Sequence, residues 1–305
     1  APWCTYNKNI VSVIIDTGVT NIGDYAFYYC SSLSEINIPD SVTKIGWSAF
    51  EGCNDLKKIS MSSEVTDIGF SAFSGCSSLI SIDIPSKVTD IGEYVFNGCD
   101  NLNAINVAED NTNYYSIDGV LFDRSNLTIM YCPGKDRETY SIPEGIKNIA
   151  YSAFADCTDL KEINIPDSVA YIGNWAFSEC SNLKSIDLPD NLTYIGQYAF
   201  AYCSGLTNIE IPYGVTYIGE NVFYYCSNLT EVTFSGSAPR FEEIVFTDVT
   251  ATVYYPSNDS SWTEEVRQNY GGTLTWVAKD SKPEEKELTI IQQPESVTGK
   301  LGETA

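Results

Sequence analysis

Eight cysteines stand in step, at Cys30, Cys53, Cys76 and Cys99 and again at Cys157, Cys180, Cys203 and Cys226, each set advancing by 23 residues. Thiols in this number could ligate zinc, pair as disulfides or act as nucleophiles. Zinc sites are built from closely spaced Cys or His ligands, and the chain has neither a C-x-x-C pair nor any histidine. Residues at equivalent positions of stacked coils would lie about 4.8 Å apart. That is within disulfide reach, yet parallel side-chain vectors make bridging awkward. The pattern therefore predicts a column of buried, reduced thiols serving as small apolar groups.

Other chemistry finds little support. Without histidine there is no ordinary general base and no Ser-His or Cys-His dyad. Asp187 and Glu210 fall in adjacent repeats and could form a carboxylate pair of the glycosidase kind. They would stand on a flat, open wall, however, with no pocket indicated around them. No D-x-[DN]-x-[DN]-G calcium loop occurs, and Gly134-Lys135 lacks the glycine-rich context and following Ser or Thr of a phosphate loop. The sequence predicts a non-enzyme with no cofactor and no metal. Its 17 Lys and Arg against 41 Asp and Glu, a net charge of -24, repel nucleic acid and anionic lipid. No stretch reaches the roughly 18 apolar residues needed to cross a membrane.

Recognition is the more promising chemistry. Two outward-facing columns run through the repeats: Glu35, Lys58, Ser81, Ala104, Glu162, Ser185, Asn208 and Glu231, and beside them Asn37, Ser60, Asp83, Asn106, Asn164, Asp187, Glu210 and Thr233. The second column is short, polar and mostly Asn or acidic, suited to meeting a protein or glycan, or simply to staying solvated. Tyr171, Tyr194 and Tyr217 occupy one variable slot in three consecutive repeats and should stack as an exposed stripe. Tyr25, Trp47, Phe70, Tyr94, Tyr151, Trp175 and Tyr198 decorate a neighbouring edge. Such rows contact protein hot spots or sugar rings, or stiffen the molecule by packing side to side. The candidate binding residues are Glu35, Asn37, Asp83, Asn106, Asn164, Tyr171, Asp187, Tyr194, Glu210 and Tyr217.

What positions these residues is the repeat itself. The string VTNIGDYAFYYC returns as VTKIGWSAFEGC, VTDIGFSAFSGC, VTDIGEYVFNGC, VAYIGNWAFSEC, LTYIGQYAFAYC and VTYIGENVFYYC. A fixed period of this length marks a solenoid, in which each coil buries its apolar edge against its neighbours. In one repeat, Leu33, Ile36 and Ile38 have the spacing of a short strand with its isoleucines inward, and Pro39, which cannot donate to a ladder, ends it. Val42 and Ile45 suggest a second, shorter extended segment punctuated by Gly46. Ala49 and Phe50 are expected in a helical or 3₁₀ turn, with Phe50 in the core. The strands Ile36–Ile38, Ile82–Ile84, Ile186–Leu188 and their equivalents are expected to form one parallel sheet.

The motif I-x-I-P-x-x-V-x-x-I-G-x-x-A-F-x-x-C, repeated across most of residues 10–278, resembles the bacterial leucine-rich repeats of the BspA, or Treponema pallidum, type. The fold expected is an α/β repeat solenoid: a right-handed leucine-rich-repeat superhelix with a parallel sheet on one wall and short helical turns opposite. The resemblance implies a non-catalytic, monomeric binding module that is secreted or displayed on a bacterial surface. Family members are adhesins for host matrix proteins or mediate coaggregation, so the implied partner is an extracellular protein or glycan, with no nucleic acid and no membrane insertion. The alternative is a spacer or stalk presenting other domains.

The register breaks once. Ile91 and Ile149 are 58 residues apart, two periods and a further 12. The segment between, about 108–139, carries two apolar runs around Asp123-Arg124-Ser125-Asn126 and is expected to be a β-hairpin projecting from the solenoid. Family members carry a similar SIDGVLF insertion. Expected domains are a solenoid over 1–278 with a C-terminal cap at about 235–278, a charged linker over 279–287, and at 288–305 the truncated start of an immunoglobulin-like domain. The opening APWCTYNKNIVSVII resembles the edge of the family's N-terminal cap.

Overall fold

A computed structural model describes residues 7–134 and 136–280. Cys4, Lys135, all but the first two residues of the expected linker and the expected immunoglobulin-like start at 288–305 lie outside the described residues. Each coil contributes one compact turn and, in most coils, two short extended segments. The isoleucine before each glycine carries one wall. Strands Asn21–Ile22, Lys44–Ile45, Asp67–Ile68 and Asp90–Ile91 form a four-stranded parallel ladder in register. A second ladder joins Thr128–Tyr131, Asn148–Ile149, Tyr171–Ile172, Tyr194–Ile195, Tyr217–Ile218 and Arg240–Phe241, all parallel.

The I-x-I wall is less continuous than the sequence predicts. It splits into the pairs Glu35–Asn37 with Lys58–Ser60, Ser81–Ile84 with Ala104–Val107, and Thr139–Ser141 with Glu162–Asn164. A four-stranded ladder follows, formed by Asn208–Ile211, Glu231–Phe234, Thr250–Pro256 and Thr273–Lys279. The expected strand at Ile186–Leu188 is not formed. One sheet over the whole wall is thus corrected to four ladders, each flanked by prolines that cannot donate, such as Pro39 and Pro85.

The expected helical turns opposite the sheet are also absent. Among the described residues the only helix is a 3₁₀ turn at Asn7–Asn9, so the architecture is an all-β parallel solenoid. The reason lies in where the turn's amides go. An α-helix sends every N–H back to its own i−4 carbonyl with φ near −63°. Here alternate amides leave the turn along the solenoid axis: Ser48, Phe50 and Gly52 donate to the carbonyls of Phe70, Ala72 and Ser74 in the next coil, each at 2.8 Å. Ala49 and Cys53 instead close tight i−3 bonds to Gly46 and Phe50. This alternation is made with two left-handed residues per turn, Ser48 (φ 49°) and Gly52 (φ 71°) in this coil. Beyond the first coil, the glycine of each I-G pair is where backbones meet. A Cβ on Gly69 would stand 2.7 Å from the Gly46 carbonyl carbon and 2.8 Å from the Trp47 nitrogen.

The core follows the period. Phe27, Phe50, Phe73 and Phe96 stack nearly parallel with centroids 5.2, 5.5 and 6.2 Å apart. Phe154, Phe177, Phe200, Phe223 and Phe246 do the same at 5.0, 5.4, 6.0 and 5.3 Å. The nine cysteines among the described residues are unpaired and buried. They are more than small apolar groups. The thiols of Cys53, Cys76, Cys180 and Cys203 donate to the carbonyls of Phe27, Phe50, Phe154 and Phe177 one coil back, at 3.1–3.2 Å. A carbonyl crowded under a phenylalanine stack, where water cannot reach it, is satisfied by the only compact side chain that is both apolar and a donor. Burial pushes the Cys53 and Cys99 thiols up to about 12.

The broken register is built inward. Tyr114–Ile117, Val120–Asp123 and Thr128–Tyr131 form an antiparallel meander whose last strand joins the I-G wall beside Asn148–Ile149. The middle strand alternates sides: Leu121 packs with the N-terminal core, Val120 and Phe122 with the C-terminal one. Three consecutive apolar residues therefore mark a strand buried on both faces rather than an arm in solvent. The projection expected from chain length does not occur, because two coil ends need covering. Tyr131 donates its hydroxyl to the Phe96 carbonyl at 2.9 Å, replacing the thiol that the next repeat would have supplied. The Tyr114 hydroxyl accepts from the Ile91 amide at 3.1 Å. Asn111, 2 % exposed, donates to Pro85 and Val88 and accepts from the amides of Asn113 and Tyr114.

Candidate binding surfaces on the two walls

Strand alternation turns every second side chain of the I-x-I wall outward. Glu35 and Asn37 are exposed on either side of buried Ile36, opposite Lys58 and Ser60 of the next coil. Asp83 accepts from the Asn106 amide at 2.9 Å, so these two are joined across coils. Asn164 is exposed opposite Ser141, and its carbonyl accepts from the Ile142 amide at 3.0 Å. Asp187 is exposed but lies in the coil that forms no strand. Glu210 is exposed opposite Thr233, and one of its oxygens accepts from the Ser235 hydroxyl. The column is thus several local polar contacts in file, and no ladder or hydrogen bond joins Asp187 to Glu210 among the described residues.

Toward the C-terminal end the same wall becomes concave. A cleft of about 540 Å³ opens there between Glu210, Tyr213, Thr233, Tyr254, Asp259 and Lys279. The Asp259 carboxylate accepts from the hydroxyls of Ser237 and Ser261 at 2.6 Å each, and these bonds hold it below the usual carboxylate range. Lys279 sits 4.8 Å over the Tyr254 ring. Among the described residues no group of three or more His, Cys, Asp or Glu side chains is placed to hold a metal ion.

On the I-G wall, Tyr171, Tyr194 and Tyr217 are brought together as the spacing predicts. In-register pairing places each tyrosine directly on the next. Their rings stack at 4.6 Å and 12°, then at 4.7 Å and 11°. Tyr171 is 38 % exposed at one end of the stripe. At the other, the Tyr217 hydroxyl donates to Glu242 at 3.1 Å while Arg240 lies 5.8 Å over the ring and pairs with Glu242. Burial, and then the neighbouring tyrosine or Glu242, raise the Tyr171 and Tyr217 hydroxyls above the usual phenol range.

The aromatic edge is not one row. Trp47, Phe70 and Tyr151 follow their glycine, or Ala150, directly; Tyr25, Tyr94, Trp175 and Tyr198 come one residue later, at the left-handed position. The two slots interlock: Phe70 meets Tyr94 at 4.9 Å, Tyr94 meets Tyr151 at 4.1 Å, and Trp175 stacks on Tyr198 at 4.1 Å and 7°. A further group, Tyr202, Tyr224 and Tyr225, was not legible as a site from the columns above. Its signal was the tyrosine directly preceding the periodic cysteine at Tyr202 and Tyr225.

Comparison with known proteins supplies the family. No curated protein matches the chain. Among solved structures, a leucine rich cell surface protein from Faecalibacterium prausnitzii is 28 % identical over 85 % of this chain, with a TM-score of 0.66. The chain spans 63 % of that protein's length. A leucine-rich repeat protein from Eubacterium ventriosum is 26 % identical over 84 % of this chain and 76 % of its own, with a TM-score of 0.73. The pneumococcal vaccine antigen PcpA, 22 % identical over 88 % of this chain and 74 % of its own, shares the fold with a TM-score of 0.69. The pattern of the BspA type leucine rich repeat region matches in six copies, over residues 3–128 and 131–252. With stacked 23-residue coils matched over most of its length, the chain belongs to the BspA-type leucine-rich-repeat family.

Proposed function

We propose that this chain is a non-catalytic, adhesin-like binding module, monomeric, and secreted or displayed on a bacterial surface. Its partner is an extracellular protein or glycan, engaged by the walls of the solenoid. The observation that carries this is the Tyr171–Tyr194–Tyr217 stripe. Stacked, partly exposed aromatic rings in a straight row present rigid amphipathic area at little entropic cost. The outward residues Glu35, Asn37, Asp83, Asn106, Asn164, Asp187 and Glu210 add polar contacts on the other wall. The Faecalibacterium relative is a leucine rich cell surface protein, which supports the location. The wall carboxylates stand exposed, Asp83 with an asparagine partner and Glu210 with a serine, which supports recognition over catalysis.

A second reading is favoured by the same stacking. Ring faces used on one another stiffen the array, as a spacer requires. Capture from extracellular protein and glycan panels by the whole chain, repeated with Tyr171, Tyr194 and Tyr217 replaced by Ser, separates the two. A binding module loses more than about 1.4 kcal/mol, a tenfold change, with its melting temperature nearly unchanged. Affinity that survives this and charge reversal at Asp83, Asp187 and Glu210 establishes the spacer.

A further inference from the structure

The second left-handed position of each turn, directly before the periodic cysteine, forms a file along one edge of the solenoid. In the first coil it holds Tyr29, with φ of 54°, and in the next three coils glycine, Gly52, Gly75 and Gly98, with φ of 71°, 69° and 69°. Glycine is the residue that adopts this conformation without steric cost. In the C-terminal coils the file reads Asp156, Glu179, Tyr202, Tyr225 and Asp248, with φ of 61°, 63°, 59°, 55° and 62°. The axial amide bonds of the turn impose this conformation, and tyrosine is a costlier occupant of it than glycine, so backbone ease does not account for the ring. Nor does burial explain the choice. Tyr202 is 39 % and Tyr225 is 47 % exposed.

The two rings are held firmly. Tyr202 stacks on Tyr225 at 5.6 Å and 14°, and Tyr224 meets both edge-on, at 5.3 and 4.6 Å. This is a rigid aromatic platform of fixed orientation. The five turns 150–158, 173–181, 196–204, 219–227 and 242–250 contain no lysine or arginine, and besides Glu242, which Arg240 pairs on the adjoining wall, they carry Asp156, Glu179, Glu220, Glu243 and Asp248. Elsewhere in this chain tyrosine faces take up cations. Arg267 lies 5.1 Å over Tyr255 and Lys279 lies 4.8 Å over Tyr254. Among the described residues, no such pair involves Tyr202, Tyr224 or Tyr225.

We propose that this edge is a docking surface for a basic segment of another protein, taking arginine or lysine side chains over the Tyr202 and Tyr225 rings between the flanking carboxylates of Glu179 and Asp248. Cations are drawn to tyrosine faces by the ring quadrupole, and the attraction grows when carboxylates stand alongside. A second copy of this chain, itself at -24, is repelled by the same field. The edge is distinct from both sheet walls, so it stands or falls independently of them.

The test uses the whole chain with a peptide alternating arginine and glycine as probe, and its glutamate counterpart as control, by fluorescence anisotropy at physiological ionic strength. Tyr202→Gly with Tyr225→Gly gives these two positions the residue found at Gly52, Gly75 and Gly98 while keeping every charge. Binding of the arginine peptide is expected to weaken about tenfold, while the thermal midpoint does not fall, because glycine relieves the left-handed strain. Unchanged affinity overturns the proposal and leaves only general attraction to an acidic protein. Self-association that disappears in this variant also overturns it, in favour of a second copy. Should the glycine variant fail to fold, Glu179→Gln with Asp248→Asn, rings intact, must weaken the peptide at least threefold, and no change is again a refutation. Wall variants leave this binding untouched, which separates its failure from failure of the wall reading.

Discussion

Phe177→Ala tests the stacked core at its most regular point. Phe177 is fully buried, with Phe154 5.0 Å away on one side and Phe200 5.4 Å on the other, both within 10° of parallel. Truncation removes a ring that neighbouring coils cannot replace, because their spacing is held by axial bonds such as Phe177 N–H to the Ala199 carbonyl at 2.8 Å. A large-to-small change of this kind costs about 3–5 kcal/mol. With a urea slope of about 3 kcal/mol/M, the midpoint should fall by roughly 1–1.7 M. The loss should also be uneven. The C-terminal core, from Val120 to Trp262, is separated from the N-terminal core by the meander, and each coil leans chiefly on its neighbours. Urea unfolding followed by hydrogen exchange should show amides of 139–256 losing protection first, with those of 21–107 little changed. A loss under about 1 kcal/mol would mean that Phe177 is not core; an equal loss of protection in both arrays would refute the division into two.

The buried thiols predict an alkaline limb. Folded, Cys53 and Cys99 titrate near 12 because burial disfavours the thiolate, whereas unfolded cysteines titrate near about 8.5. The folded state therefore retains protons that the unfolded state releases. Stability is fully present below about pH 8.5 and falls as pH rises above it, by up to about 1.4 kcal/mol per pH unit for each such thiol. Urea midpoints measured from neutral to alkaline pH check this, and native-state thiol labelling should be slow where labelling in urea is fast. A flat profile would place the thiols in contact with solvent. Gly69→Ala should cost more than about 1 kcal/mol, because its Cβ meets the backbone of the preceding coil and not a movable side chain. An unchanged thermal midpoint would show that the coils can spread apart.

What the sequence determined by itself is whatever the period dictates. Residues 23 apart must stack, so Phe50 over Phe73, Cys53 over Cys76 and Tyr171 over Tyr194 followed from spacing alone, as did the parallel direction of the strands. Alternation about Ile36 placed Glu35 and Asn37 outward for the same reason. Three things were decided only by the packed structure. Ala49 and Phe50 lie in a segment that could have coiled into a helical turn, but carbonyls offered by the next coil drew alternate amides along the axis, and helix was lost to that competition. Val-Leu-Phe at 120–122 could have formed a projecting arm, but two open coil ends supplied two apolar faces, and a strand covered by both is the more stable solution. The third is backbone conformation. The letters at 202 and 225 do not reveal a left-handed tyrosine, because φ there is set by amides reaching from Tyr202 and Tyr225 to the next coil. Local pattern specifies what must repeat; it cannot specify where hydrogen bonds go when the partner is another coil.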